Sequence, residues 1–284
     1  MPRCNWLLSI LAVVGLSSVA APASAQALLP YTPQFDEEQL ENTGINLLRE
    51  VIQLVRFQQF DSALPRAKLA TQLAPRLYDT WFLLGTLYVQ RQETDKGIES
   101  LEKARALEPQ EPGLLFTLGS AYFQKENYRQ AVKDLEAGLE LRPDALDALF
   151  DLGNSYLMLK EFPRAIEAYE QSFAQDKRFW PAVNNIGLIK YEQGDIEGAI
   201  ANWQQSIAID PEAAEPQLAV AVALYKQGKK EEGIALGEIA LNLDDRYADL
   251  DFLKENLWGE SLLIATEEFL ATPPIQALIA RFNQ

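Results

Sequence analysis

The sequence predicts an all-α solenoid of about six helix-turn-helix repeats closed by a C-terminal helical cap, and three periodic columns predict it. Gly85, Gly119, Gly153 and Gly187 recur at a spacing of 34 residues. Small residues recur at the same period in Ala63, Gly97, Ala131, Ala165, Ala199 and Gly233. A third column reads Pro75, Pro109, Pro143, Lys177 and Pro211, so one slot departs. A fixed period of this length marks a repeat architecture, in which each unit is one supersecondary element packed only on its neighbours.

In chain order, Arg3 precedes an apolar run over 7–21, and Ala23-Ser24-Ala25 follows as a small-x-small site. This reads as a secretory signal peptide over 1–25, cut before Gln26. The alternative, an uncleaved anchor, is disfavoured because the run falls short of the roughly 20 residues that span a bilayer. Residues 26–43 are a leader with Pro30 and Pro33, then Asp36-Glu37-Glu38, whose charges suit the start of a first helix. The six repeats occupy 44–77, 78–111, 112–145, 146–179, 180–213 and 214–247. Glu126-Asn127, Gln193-Gly194-Asp195 and Gln227-Gly228 mark turns within pairs, where Gly or Asn takes the left-handed conformation that closes a helix. The glycine column is expected to face the Ala131, Ala165 and Ala199 column where paired helices cross. Leu84, Leu118, Leu152 and Ile186, with Leu101, Leu135, Tyr169 and Trp203, fill the remaining space. Prolines near the repeat ends stop each second helix. Residues 248–284 hold three helical segments at 249–258, 260–271 and 274–282. Leu253, Leu262, Phe269, Leu278 and their neighbours would cover the last repeat, since a solenoid's terminal face must be made polar.

Trp81, Leu84, Gly85 and Tyr88 spell W-x-x-L-G-x-x-Y, and Leu118-Gly119-x-x-Tyr122 and Leu152-Gly153-x-x-Tyr156 repeat its second half. Ala165-x-x-x-Tyr169 and Ala199-x-x-x-Trp203 supply the second-helix part. These residues resemble the tetratricopeptide (TPR) repeat. The resemblance implies a right-handed α-solenoid that binds a protein segment on the concave side lined by its first helices. The signal and the repeat style are similar to those of exported bacterial TPR proteins, which implies the periplasm or thylakoid lumen.

Composition bears on chemistry. There is no histidine, and Cys4, the one cysteine, would leave with the signal, so Ser-His-Asp and Cys-His catalysis are excluded. A metal site would have to be all-carboxylate, which disfavours zinc and copper. The densest acidic cluster, Asp244, Asp245, Asp249 and Asp251, fits no calcium loop. No phosphate-cradling glycine loop occurs. We therefore expect no enzyme activity, cofactor or metal. Charge is lopsided, with 25 Lys+Arg against 41 Asp+Glu. This disfavours nucleic acid and anionic membranes, and favours a solvated acidic exterior over a specific basic partner. No second apolar stretch reaches spanning length.

The resemblance implies that two columns face the concave side. One reads Leu48, Phe82, Phe116, Phe150, Asn184, Leu218; the other reads Val55, Val89, Phe123, Leu157, Tyr191, Tyr225. Phe82, Phe116 and Phe150 would form an aromatic ladder, with Phe123, Tyr191 and Tyr225 beside it. Packing of these rings between repeats is the other placement the sequence allows. Asn154, Asn184 and Asn185 edge the ladder. Asn154 and Asn185 match the asparagines with which chaperone-binding TPR domains grip a peptide. The cationic part of that clamp is missing, because the matching positions are Phe150, Glu215 and Ala219. The expected function is thus a non-enzymatic scaffold that binds a protein segment and assists assembly or maintenance of an envelope or thylakoid complex. A glycan-binding or enzyme-accessory module, with Trp81, Phe82 or Tyr88 stacking on sugars, is the alternative. A self-assembling solenoid is the third reading.

Overall fold

The computed structural model describes residues 36–282, which are helical with no strand among them. The expected signal peptide over 1–25 and most of the expected leader lie outside the described residues. Twelve helices form six consecutive pairs. These are α1 (Glu37–Arg56) with α2 (Phe60–Leu73), α3 (Tyr78–Gln90) with α4 (Thr94–Leu107), and α5 (Pro112–Gln124) with α6 (Tyr128–Leu141). They continue as α7 (Leu146–Met158) with α8 (Phe162–Gln175), α9 (Trp180–Glu192) with α10 (Ile196–Ile209), and α11 (Ala214–Lys226) with α12 (Lys230–Leu243). A 3-10 turn (Asp245–Ala248), α13 (Leu250–Glu255), α14 (Glu260–Leu270) and α15 (Pro273–Phe282) complete the chain.

Each pair closes by the same device. Gln58, Gln92, Glu126, Lys160, Gly194 and Gly228 have positive φ, one per repeat and 34 residues apart. The next backbone N–H returns to a carbonyl of the first helix, as in Asn127 N to Tyr122 O at 2.9 Å and Asp195 N to Lys190 O at 2.9 Å. That is the six-to-one closure of a helix C-terminus. In the third repeat the left-handed residue is therefore Glu126. Asn127 instead caps α6, its side chain accepting from Gln130 N.

The glycine column has a nearer partner than the small column it was expected to face. Gly85, Gly119, Gly153 and Gly187 lie beneath the large column of the second helices, and a Cβ at Gly85 would also meet the small column, 3.1 Å from Gly97 O. A Cβ at Gly153 would sit 2.5 Å from the Tyr169 ring, and one at Gly119 would sit 2.5 Å from Leu135. One at Gly187 would collide with Trp203. The absent side chain is the space into which Leu101, Leu135, Tyr169 and Trp203 fit with no exposed area. Ala63, Ala131, Ala165 and Ala199 are also fully buried, where the helices cross.

The end repeats invert this pairing. In the first, Val51 holds the glycine position and Ala67 the large one, both buried in one cluster. In the sixth, Ala221 meets Gly237, and neither supplies bulk. The missing ring comes from the tail: Phe269 of α14 fills the place where a Gly237 side chain would be, and is itself fully buried. The tail thus completes the sixth repeat as well as covering it. α15 packs on α12 and the 3-10 turn, while α14, bent 84° from α15, turns back over α11 and α9. No single described helix is long and apolar enough to cross a membrane.

Candidate binding surface

Successive first helices touch one another, α1 with α3, α3 with α5 and α5 with α7. No pair of successive second helices meets to that extent among the described residues, so the first helices line the inner side of the curve. Over repeats five and six this side is filled. Ala182 to Ile189 of α9 and Ala214 to Ala223 of α11 are buried without a break. α14 lies across both helices.

Polar contacts hold the tail there. Glu192, at the end of α9, accepts from the backbone N–H of Ser261 (3.2 Å) and Leu262 (3.0 Å), capping the start of α14 with a carboxylate. Trp258 Nε1 donates to Glu215 Oε1 at 2.9 Å, and Lys226 pairs with Glu268 at 2.7 Å. Glu215 also accepts from Asn184 Nδ2 at 3.0 Å, and the Tyr247 hydroxyl lies close to it. Its burial raises the carboxyl to about 7, against the lowering effect of these hydrogen bonds.

Three of the residues expected to meet a ligand, Asn184, Asn185 and Tyr191, are buried here. Asn184 is fully buried and Asn185 nearly so. Asn184 donates to Glu215 and to Asn185 Oδ1, while Asn185 Nδ2 donates to Asn154 Oδ1 (3.1 Å) and the Tyr169 hydroxyl (3.3 Å). Tyr169 in turn donates to Asn154 Oδ1 at 2.7 Å. The two asparagines matched to a peptide grip therefore hold each other and a buried tyrosine. Tyr191 is buried against Trp203, with ring centroids 5.9 Å apart. Half-buried Tyr225 sets its edge on Phe269 of the tail.

The aromatic ladder is half core as well. Phe82, Phe116 and Phe150 are each partly buried, and their ring contacts run elsewhere than to one another. Phe82 stacks on Tyr78, and Phe150 meets Tyr169 and Phe179. Phe116 rests against α6 where Gly138 leaves room, with the Arg142 guanidinium 4.9 Å from its ring centre. Of the expected site residues, Phe116 and Phe123 each line a cavity.

These cavities lie over repeats two to four. A cleft of about 900 Å³ has Val89, Phe123, Met158 and Leu257 as its apolar surface, with Gln90, Gln92 and Gln124 among its polar groups. Lys254 and Glu255 place the tail along one wall. A cavity of about 540 Å³ adjoins it through Val89, with Phe116 on its floor and Asp144, Asp147 and Asp151 at its edge. Ser120 Oγ donates to Asp151 at 2.6 Å, while burial and then the neighbouring Asp147 charge raise the Asp151 carboxyl. Together they form a trough with an apolar floor, amide side chains and a negative end. Among the described residues, no group of three His, Cys, Asp or Glu could hold a metal ion.

Glu192, Glu215, Trp258 and Phe269 were not legible as site residues from the repeat columns. A signal was nonetheless present, since α11 reads Leu-Ala-Val-Ala-Val-Ala-Leu and so lacks a polar face. A helix apolar all round must be covered by something.

Models of the tetratricopeptide repeat match residues 78–111 and 116–177, and a TPR-repeat model matches 187–228. Among solved structures the chain is similar to the MamA protein, at 25% identity and TM-score 0.55 over 61% of this chain and 94% of that one. It is also similar to YrrB, a TPR protein with an unusual peptide-binding site (20%, TM-score 0.57, 68% and 95%). A third likeness is to pilF of Pseudomonas aeruginosa (15%, TM-score 0.61, 78% and 98%). No curated protein matches the chain. With its repeats, glycine pairing and helix order on these terms, the chain belongs to the tetratricopeptide-repeat family.

Proposed function

We propose that this chain is a non-enzymatic interaction scaffold that takes an extended protein segment in the trough over repeats two to four. The observation that carries the reading is the contrast along one face. The inner side of repeats five and six is filled by α14, whereas that of repeats two to four keeps an open cleft with an apolar floor. Glutamine side chains along it carry both donors and acceptors, which suits the backbone of an extended segment. An apolar floor supplies the buried contact that dominates such interfaces. The absence of histidine from the sequence, and of cysteine beyond Cys4, supports a binding role over a catalytic one. Export to a periplasm or thylakoid lumen, and service to a complex there, belong to the same proposal and rest on the leader-like N-terminus. The sugar-stacking alternative finds less support. Tyr88 is buried, Phe82 is stacked on Tyr78, and Trp81 donates to Pro75 O with Lys103 across its ring.

The test is the pair Phe123→Ala and Met158→Ala, made together and assayed against the partner recovered from the native compartment. Both side chains border the cleft, and Met158 is exposed. Affinity should fall about tenfold or more, the level at which a central interface residue acts. The melting temperature should fall only modestly, by the loss of the Phe123 contact with Tyr128, and less than for a fully buried ring. Unchanged affinity in a folded double variant would place recognition elsewhere.

A further inference from the structure

A carboxylic acid buried without a cation is rarely left in a fold by chance. Glu215 is such a group, and it sits where three elements meet. Asn184 reaches it from α9, Tyr247 from the 3-10 turn, and Trp258 from the segment entering α14. Its ionisable neighbours are Tyr247 and, further off, Tyr169 of α8. No lysine or arginine among the described residues acts on it; Arg246 of the 3-10 turn acts on Tyr247 and is paired with Asp244 at 2.6 Å. Lys226 of α11 is engaged with Glu268, and Glu192 is occupied at the far end of the contact by the α14 backbone. The tail's hold on the inner face therefore includes one polar anchor whose charge has no counter-charge.

We propose that Glu215 is a proton-operated latch, which clamps the tail over repeats five and six when protonated and loosens it when ionised. The physical reason is desolvation. Docking Trp258 seals Glu215 from water, which disfavours the carboxylate and favours the neutral acid. The direction follows from linkage. The docked carboxyl is raised to about 7, above the ordinary value of about 4.3, so the docked state binds the proton more tightly than the open one. The latch is fully closed at acid pH and weakens as pH rises through the docked value. Release would also withdraw Lys254, Glu255 and Leu257 from the wall of the open cleft, coupling the latch to the trough. That coupling rests on the binding reading above. The latch does not, so a test that follows the tail alone separates the two.

The experiment is amide hydrogen exchange of α14 in the full chain, corrected for the intrinsic pH dependence of exchange. Between about pH 6 and about pH 8.5, wild-type protection of residues 262–270 should fall about tenfold. Protection of α6, which does not touch the tail, should not move with it. Glu215→Gln, neutral at every pH and still able to accept from Trp258, should hold α14 protection flat. Trp258→Phe keeps an aromatic ring, though a smaller one, and removes the donor, so α14 should be less protected throughout and still respond to pH. Wild-type protection that is flat across this range, or a response that persists unchanged in Glu215→Gln, would overturn the latch. If Glu215→Gln does not fold, the wild-type profile and Trp258→Phe still decide the question. A Trp258→Phe profile identical to wild type would also count against it.

Discussion

Phe269→Ala should cost about 3–5 kcal/mol, the range for truncating a fully buried aromatic ring. The effect is expected at the upper end because Phe269 does two jobs. Its ring fills the space between Gly237 and Ala221 that Tyr169 and Trp203 fill from within their own repeats. It also meets Tyr225 edge-on, fixing the end of α14 to α11. Neither glycine nor alanine can collapse far enough to close the hole, so the cavity would persist. Because repeats contact only their neighbours, the loss should centre on α11, α12 and α14 and leave α3 to α6 protected. Thermal unfolding read together with hydrogen exchange measures both magnitude and place. A variant that melts like wild type with α14 still protected would mean that Phe269 does not complete the sixth repeat.

Gly153→Val should also be severe, and a second substitution should partly repair it. A Cβ at Gly153 already collides with the Tyr169 ring, which is fully buried and bonded to Asn154 through its hydroxyl. Overpacking of this kind costs about 1–3 kcal/mol and occasionally more. The first repeat shows the cure, because Val51 and Ala67 hold the same two positions with the sizes exchanged. Tyr169→Ala in the Gly153→Val background should therefore recover part of the lost stability. Recovery should be incomplete, since Asn154 and Asn185 lose the hydroxyl between them. In a double-mutant cycle the two changes should be strongly coupled; simple additivity would contradict the pairing.

These cases show what the sequence made legible. Columns repeating with the period of the structure told where helices start, stop and touch, because the same local contact recurs five or six times. The Gly153 column was visible, but its nearest partner was not. Spacing alone does not say which second-helix column lies over a gap, and Tyr169 and Trp203 were as good candidates as the alanines. The turn residues were half legible. Gly194 and Gly228 declare a left-handed site, whereas Gln58, Gln92 and Lys160 adopt it with no special chemistry, held by the helix closure around them.

The site was harder for a physical reason. Reading Asn184, Asn185 and Tyr191 as groove residues assumed that every first helix presents the same inner face to solvent. α14 breaks that equivalence through contacts far apart in sequence, Glu192 with Leu262 and Glu215 with Trp258, which no repeat period encodes. What the sequence did carry was the uniformly apolar stretch of α11. It announces a cover without naming it.

The central claim is that one inner face is divided, with its own tail seated over repeats five and six and a partner's place over repeats two to four. Photo-reactive phenylalanine analogues test it most directly when placed singly at Gln124, in the open cleft, and at Tyr225, under the tail. On irradiation in the native compartment, the analogue at position 225 should join the chain to its own α14 near Phe269. The analogue at position 124 should join it to a second polypeptide. An intermolecular adduct from 225 with none from 124 would contradict the division and return the binding surface to the repeats that the tail covers.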